Sequence, residues 1–302
     1  MYSLILVDYN SIACAVAYAG QCADRMQGLS HVVLVDNADH SSLDYLRSQL
    51  GSWEEQPFEG RLLYRFTNET LTLIYCHSGG NLGYARGNNL GARIADAVFD
   101  DPYYIISNND IIIPERIDLE QVSKRFADEA QMAILGPGVV GKDGISQTPR
   151  KKQSAFKKLI AWYWGVGPMR KYVDDVIYNA PASICQWVMG CFFFVRRDAF
   201  AAVGGFDENT FLYAEEMILS ARLRRLGYTT VYDPLFTVIH DHREQPRNSP
   251  KTRKTIRISF ASNCYYYKTY CGTSAGLLLL AKCSFALYML LFPLWQRLKR
   301  KG

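Results

Sequence analysis

The chain has 302 residues, 49% of them hydrophobic and 21% charged, enough for one large globular domain or two small ones. A net charge of +5 is too small to argue for a nucleic-acid partner. Eight cysteines, at 14, 22, 76, 185, 191, 264, 271 and 283, form neither a CxxC pair nor a zinc-like spacing, which points to a reducing compartment. "MYSLILVDYN" lacks a basic region before its short apolar run, so no secretory signal is expected.

In chain order, strand and helix signals alternate. "YSLILVD" reads as a buried strand, "IACAVAYAGQCADRM" as a helix, and "HVVLVDN" as a second strand. "LTLIYCH" is the next strand, followed by a helix from about Tyr84 to Val98 and by "YYIISNND". Short continuous apolar runs separated by helices predict parallel strands covered on both faces. Beyond Pro114, "MAILGPGVV" reads as a strand and "ICQWVMGCFFFVRR" as a long one. A helix is predicted from Glu215 to Leu226, ended by Gly227. There is no internal repeat, so the organisation reads as one catalytic unit, 1–245, and a C-terminal helical appendage, 246–302.

Polar residues collect where these strands end. Asp8, Tyr9 and Asn10 close the first, Asp36 and Asn37 the second, and Asn108, Asn109 and Asp110 a later one. Singly, each is an ordinary turn former or helix cap. Their recurrence at one edge of a parallel sheet indicates a nucleotide crevice at the strands' carboxyl ends. "GGNLGYARGNNLGA" is neither a dinucleotide fingerprint nor a P-loop. Its glycines would let backbone pass close to a ligand, and Asn81, Arg86 and Asn89 offer donors for phosphate or sugar.

"LILVDYNS", "VVLVDNA", "NLGYARGNN", "SNND", "GCFFFVRRDAFAAVGGFDENTFLYAEEMILSARLRRLGY" and "VIH" together resemble the ordered motifs of the family 2 inverting glycosyltransferases of GT-A fold. The likeness spans residues 3 to about 240 and is greatest to the rhamnosyltransferase-like branch that builds bacterial surface polysaccharides. It implies an α/β fold of Rossmann-like mixed sheet with helices on both faces. Tyr9, Asn10 and Asp36 would surround the donor's base. A carboxylate only accepts hydrogen bonds, so Asp36 would suit the imide N–H of uracil or thymine. Asn81, Gly83, Arg86, Asn89, Asn109 and Asp110 would complete the donor site.

The same likeness implies a divalent cation, Mn2+ or Mg2+, held by Asp110 and a late histidine. His240 matches the motif, and His242 stands two residues away as an alternative. Asn108 occupies a position where many relatives keep an aspartate, so the donor's diphosphate would supply much of the ligation. Glu216 falls at the position of the catalytic base, with Glu215 the acidic residue before it. An inverting transferase needs one carboxylate to take the acceptor hydroxyl's proton, and Glu216, three and seven residues before Leu219 and Leu223, sits on the inward face of its helix. Glutamate in place of aspartate, and Ile218 where a further aspartate is common, depart from the family. Two other readings stand beside this one: a sugar nucleotidyltransferase, and a degenerate relative that binds nucleotide-sugars or scaffolds an assembly.

"RKKQSAFKKLIAWYWG" joins Arg150, Lys151, Lys152, Lys157 and Lys158 to Trp162, Tyr163 and Trp164, a composition suited to an anionic membrane surface or a lipid diphosphate. Residues 275–295 carry a single charge, Lys282, and as a helix would just cross about 30 Å of hydrocarbon. "QRLKRKG", with four basic residues, would prefer the cytoplasmic face, as would a domain using nucleotide-sugars. The expectation is therefore an interfacial or re-entrant helix on the cytoplasmic face of the membrane, with a lipid-linked saccharide as acceptor. Pro293 is expected to break it.

Overall fold

A computed structural model describes residues 1–164, 176–241 and 252–299 of the chain, with 294–299 as backbone only. The first part runs β1 (Tyr2–Asp8), α1 (Ile12–Arg25), β2 (Met26–Gln27), β3 (His31–Asp36), α2 (Leu43–Leu50), β4 (Glu54–Phe58), β5 (Arg61–Thr67), β6 (Thr72–His77), α3 (Gly83–Val98) and β7 (Tyr103–Ser107). Next come β8 (Ile111–Ile112), β9 (Ile117–Asp118), α4 (Leu119–Asp128) and β10 (Met132–Gly141). After a π-helical turn (Lys157–Ala161) and α5 (Trp162–Trp164) follow β11 (Ser183–Ile184), β12 (Phe192–Arg196), α6 (Arg197–Ala202), α7 (Glu215–Arg225), β13 (Thr229–His240), α8 (Arg253–Thr269) and α9 (Ala275–Lys299).

One mixed sheet organises the fold, in the order β11-β13-β10-β12-β7-β1-β3-β6-β5-β4, with β8 added to β13. β1 pairs in parallel with β3 and β7, and β3 with β6, as the unbroken apolar runs predict. Successive residues serve opposite layers. Leu4 and Leu6 join the core beneath α1, whereas Ile5 joins the core beneath α3. α3 can lie close on β1 because a Cβ at Gly91 would meet Ile5 Cγ2 at 2.5 Å, and one at Gly87 would meet Val7 Cγ1 at 2.8 Å. Glycines expected to make room for a ligand therefore make room for the sheet.

One expectation is corrected here, and one hairpin is added to it. The long strand over 184–197 is broken: only Phe192–Arg196 and the short Ser183–Ile184 pair in the sheet. Between them Val188 packs into the space over Gly136, where a Cβ would meet its Cγ1 at 2.3 Å, so this stretch crosses the sheet rather than extending it. The β4–β5 hairpin carried no strand expectation. Its turn, Glu59 and Gly60 at φ 47° and 72°, has the two positive φ values of a type I′ turn.

α9 runs through Pro293 instead of ending there. Proline cannot donate to the carbonyl four residues earlier, that of Met289, and Arg253 Nη2 of α8 supplies that hydrogen bond at 3.1 Å. Among the described residues, Ala275–Pro293 is the one segment long and apolar enough to cross a membrane. Its inner side buries Leu278 and Ala281 in a cluster with Leu159, Phe260 and the α7 residues Met217 and Ile218. The helical pair therefore shares a core with α7. The outer side leaves Leu279, Leu280, Leu287, Leu290 and Leu291 exposed. The 245/246 boundary falls outside the described residues.

Candidate active site

Parallel register brings the strand ends together: Asp8 stands opposite Asp36, and Ser107 opposite Leu6. At this edge Tyr9 and Asn10 are exposed, with Asn10 held at φ 60°. Asp36 is fully buried. In place of the expected contact to a base, its carboxylate accepts hydrogen bonds from Tyr75 Oη at 2.7 Å, Ser42 N at 2.8 Å and Ala38 N at 3.2 Å. It shapes the loop after β3.

The "GGNLGYARGNN" residues divide similarly. Asn81 Oδ1 accepts from Gly83 N at 2.9 Å. Gly83, at φ +79°, admits the carbonyl of Phe211, which would lie 2.4 Å from a Cβ there and which accepts from Tyr84 N at 3.0 Å. In place of contacts to phosphate, Asn89 uses both ends of its amide on the 206–208 turn, accepting from Phe206 N and donating to Phe206 O and Glu208. Arg86 is more than half exposed, with Nε 3.5 Å from Glu208.

"SNND" is a junction. Asn109 donates to Asp8 Oδ1 at 2.7 Å and to Ser11 Oγ at 3.0 Å, tying the loops after β1 and β7. Asp110 Oδ2 lies 3.3 Å from His240 Nε2, and Asp110 O accepts from Asp241 N at 2.8 Å. β8–β13 pairing, with His240 opposite Ile111, sets this approach. Burial works against a charge on His240, but hydrogen bonds to Asp110 and Cys191 outweigh it and push its pKa up to about 10. Asp110, just ahead of β8, and His240, at the end of β13, are a donor set suited to a divalent cation, which would have to displace the ring's proton. Among the described residues, no group of three or more His, Cys, Asp or Glu gathers at one point, so a cation held there would need further ligands from a bound anion or water. His242 lies outside the described residues.

The two glutamates open α7 directly after Tyr213 and Ala214, at φ 78° and 71°. Left-handed residues with side chains cost about 1–3 kcal/mol each and persist where surroundings hold them. Here Ser262 of α8 donates to Leu212 O at 2.8 Å, and Tyr265 and Tyr270 both donate to Asp207. Glu215 is buried; burial and the Glu216 charge push its carboxyl up to about 8, so it carries its proton at neutral pH. Burial also raises Glu216, opposed by its own backbone N–H and by the charges of Lys158 and Arg150. A Cβ at Gly190 would stand 3.4 Å from Glu216 Oε2 and 3.6 Å from Tyr84 Oη, which donates to Gly190 O at 2.5 Å. The next residue, Cys191, accepts from Asn108 N at 2.9 Å and bonds the His240 ring. Gly190 and Cys191 thus join the carboxylate of Glu216 to the Asp110–His240 pair.

Sequence reasoning did not single out Tyr84, Gly190 or Cys191, nor the proximity of Arg150 and Lys158 to Glu216. Tyr84 and Gly190 lie inside quoted motifs; the other pairing depends on how 150–164 folds back over α7.

The fold defines a GT-A chain. It superimposes on GalNAc-T7, solved with UDP, GalNAc and Mn2+, with TM-score 0.55 and 14% identity over 88% of this chain and 49% of that one. It superimposes on the mannosyltransferase PcManGT of Pyrobaculum calidifontis, solved with GDP-Man and Mn2+, with TM-score 0.53 and 13% identity over 95% of this chain and 74% of that one. No family model matches. Among curated proteins, the N-acetylglucosaminyl-diphospho-decaprenol L-rhamnosyltransferase of Mycobacterium tuberculosis is 30% identical over 54% of this chain. The chain spans 57% of that relative's length. The rhamnosyltransferase WbbL of Escherichia coli is 25% identical over 69% of this chain and 83% of its own. The expected likeness to rhamnosyltransferases is therefore borne out by the curated relatives, and the expected GT-A fold by the solved structures.

Proposed function

We propose that the chain is an inverting glycosyltransferase that moves a hexose, rhamnose being favoured, from a nucleoside-diphosphate donor to a lipid-linked saccharide in cell-surface polysaccharide synthesis. The observation that carries this reading is the junction at Gly190–Cys191, which sets the Glu216 carboxyl beside the Asp110–His240 pair at the strand ends. The curated relatives' names supply the sugar and the lipid-linked acceptor.

In this reading Glu216 takes the acceptor hydroxyl's proton as that oxygen attacks the anomeric carbon from the face opposite the leaving diphosphate. Glu215 keeps its own proton at neutral pH, whereas the charges of Lys158 and Arg150 favour the ionised form of Glu216, so the base is Glu216. Tyr84 fixes Gly190, whose missing side chain leaves the carboxylate open to an acceptor. Tyr9 and Asn10 border the donor's base, and Arg86 meets its phosphates. Asp110 and His240 would hold a divalent cation, which supplies charge neutralisation for the departing diphosphate. Asp36 spends its hydrogen bonds on its own loop, so a preference for uracil or thymine would rest on the exposed groups of that edge.

We assign the outer leucines of α9 to the cytoplasmic leaflet, because a row of exposed large apolar side chains on one helix face marks an interfacial segment. A panel of nucleotide-sugars with manganese and a short-chain prenyl-diphospho-N-acetylglucosamine acceptor tests the whole reading. One donor should give a product of inverted configuration. Turnover of none, together with no thermal shift by any donor, refutes it in favour of a scaffold. Pyrophosphate release from a nucleoside triphosphate would instead favour a nucleotidyltransferase.

A further inference from the structure

We propose that Arg150 and Lys158 bind the diphosphate of a polyprenyl-linked acceptor, beside the base Glu216 and on the segment that joins α7 to α9. This rests on the glycosyltransferase reading above and adds the residues that recognise the acceptor's charged group.

The folding of 150–164 carries the inference. Leu159, next to Lys158, is fully buried in one cluster with Ala214, Met217 and Ile218, which flank the two glutamates. The helical turn bearing Lys158 therefore rests on the first turn of α7. On its other side Tyr163 packs edge-on against Phe260 and Phe285 at 5.7 and 5.1 Å, and Trp164 Nε1 donates to Ser284 at 2.8 Å. The segment thus bridges the catalytic helix to α8 and α9.

Lys158 and Arg150 are both only part-buried. Lys158 Nζ sits 4.9 Å from the Trp162 ring, and Arg150 Nε is anchored to Gln147 O at 3.0 Å. Both charges act on the Glu216 carboxylate. An acceptor whose sugar hydroxyl meets Glu216 would bring its next group, the diphosphate, within reach of the cations that act on that carboxylate. The same segment packs on α9, whose far side carries the exposed leucines. Guanidinium and ammonium groups are suited to a diphosphate, the first by its fork and the second as a point charge. Lys151 and Lys152 of the same run are exposed and serve as internal controls.

The test measures binding of farnesyl diphosphate to the full chain in neutral detergent, with farnesol and inorganic pyrophosphate as comparisons. Pyrophosphate should displace the probe and farnesol should not. Arg150→Ala and Lys158→Ala should each weaken it by roughly tenfold or more, the worth of a hydrogen bond to a charged group. Arg150→Lys and Lys158→Arg should restore part of the loss, and Lys151→Ala and Lys152→Ala should leave binding unchanged. Unaltered affinity in both alanine variants, with thermal melting confirming that they fold, overturns the assignment. So does binding that UDP abolishes and Asp110→Ala weakens, since the probe would then occupy the donor's site. Variants that move only the pH profile of transfer would make the pair tuners of Glu216, also against the proposal. If binding follows this pattern while no nucleotide-sugar is ever turned over, the site stands and the enzymatic reading falls.

Discussion

Replacing Glu215 by an isosteric neutral amide, Glu215→Gln, tests the electrostatics at the start of α7. Glu215 is 3% exposed and meets the Glu216 charge, and its carboxyl is pushed from an ordinary 4.5 up to about 8. Between those values the folded chain holds one proton that the unfolded chain has released. Stability then falls with rising pH at about 1.4 kcal/mol per unit, up to about 5 kcal/mol across the window. The contribution is complete below pH 4.5 and lost by about pH 8. Glu215→Gln has no proton to lose, so its stability relative to the wild type should climb through that window. Urea unfolding at a series of values from about pH 5 to about pH 9 measures the difference directly. Glu216→Gln, which removes the neighbouring charge, should narrow the window. Parallel stability curves for wild type and Glu215→Gln would refute the buried-proton argument, and with it the reason for assigning the base to Glu216.

Glu216→Gln should retain donor binding, read by thermal shift, and lose transfer by roughly 10²–10⁴-fold, the usual worth of a positioned base. Near-normal turnover in that variant would sink the assignment. Asp110→Ala should weaken nucleotide-sugar binding in the presence of manganese, and lower the melting temperature only as far as the lost His240 contact requires; activity that survives chelation in the wild type would reduce Asp110 and His240 to a hydrogen-bonded pair. Leu287→Asp with Leu290→Asp, both outward on α9, should abolish sedimentation with anionic vesicles while leaving the fold intact, and continued co-sedimentation would remove the leucine row from the membrane. Truncation before α9 is a poorer test, because it would strip Leu278, Ala281, Met289 and Phe292 from their buried contacts.

The parallel half of the sheet was legible because β1, β3, β6 and β7 are buried on both faces and their sequences carry unbroken apolar runs. α7 was legible through Leu219, Leu223 and the stop at Gly227. The crossing of 185–191 was not, since "ICQWVM" has strand composition and only Val188 seating over Gly136 turns it aside. Asp36 and Asn89 show the limit for side chains. Motif position marks them as important, but Tyr75 and the 206–208 turn, distant in sequence, decide that their hydrogen bonds point inward. The continuation of α9 through Pro293 likewise depends on Arg253, forty residues earlier in the chain.

The grip of α8 on the 207–214 loop bears on how such chains recombine. Ser262, Tyr265 and Tyr270 reach from the C-terminal helices to Leu212 and Asp207, steadying the two left-handed residues ahead of Glu215. The C-terminal pair is therefore not an interchangeable anchor. A chimera that takes its last helices from a relative would orphan those three hydroxyls' partners and loosen the turn that aims the base. The natural crossover unit joins 207–225 to 252–293, so that lineages exchanging one without the other should accumulate compensating changes at 207, 262, 265 and 270.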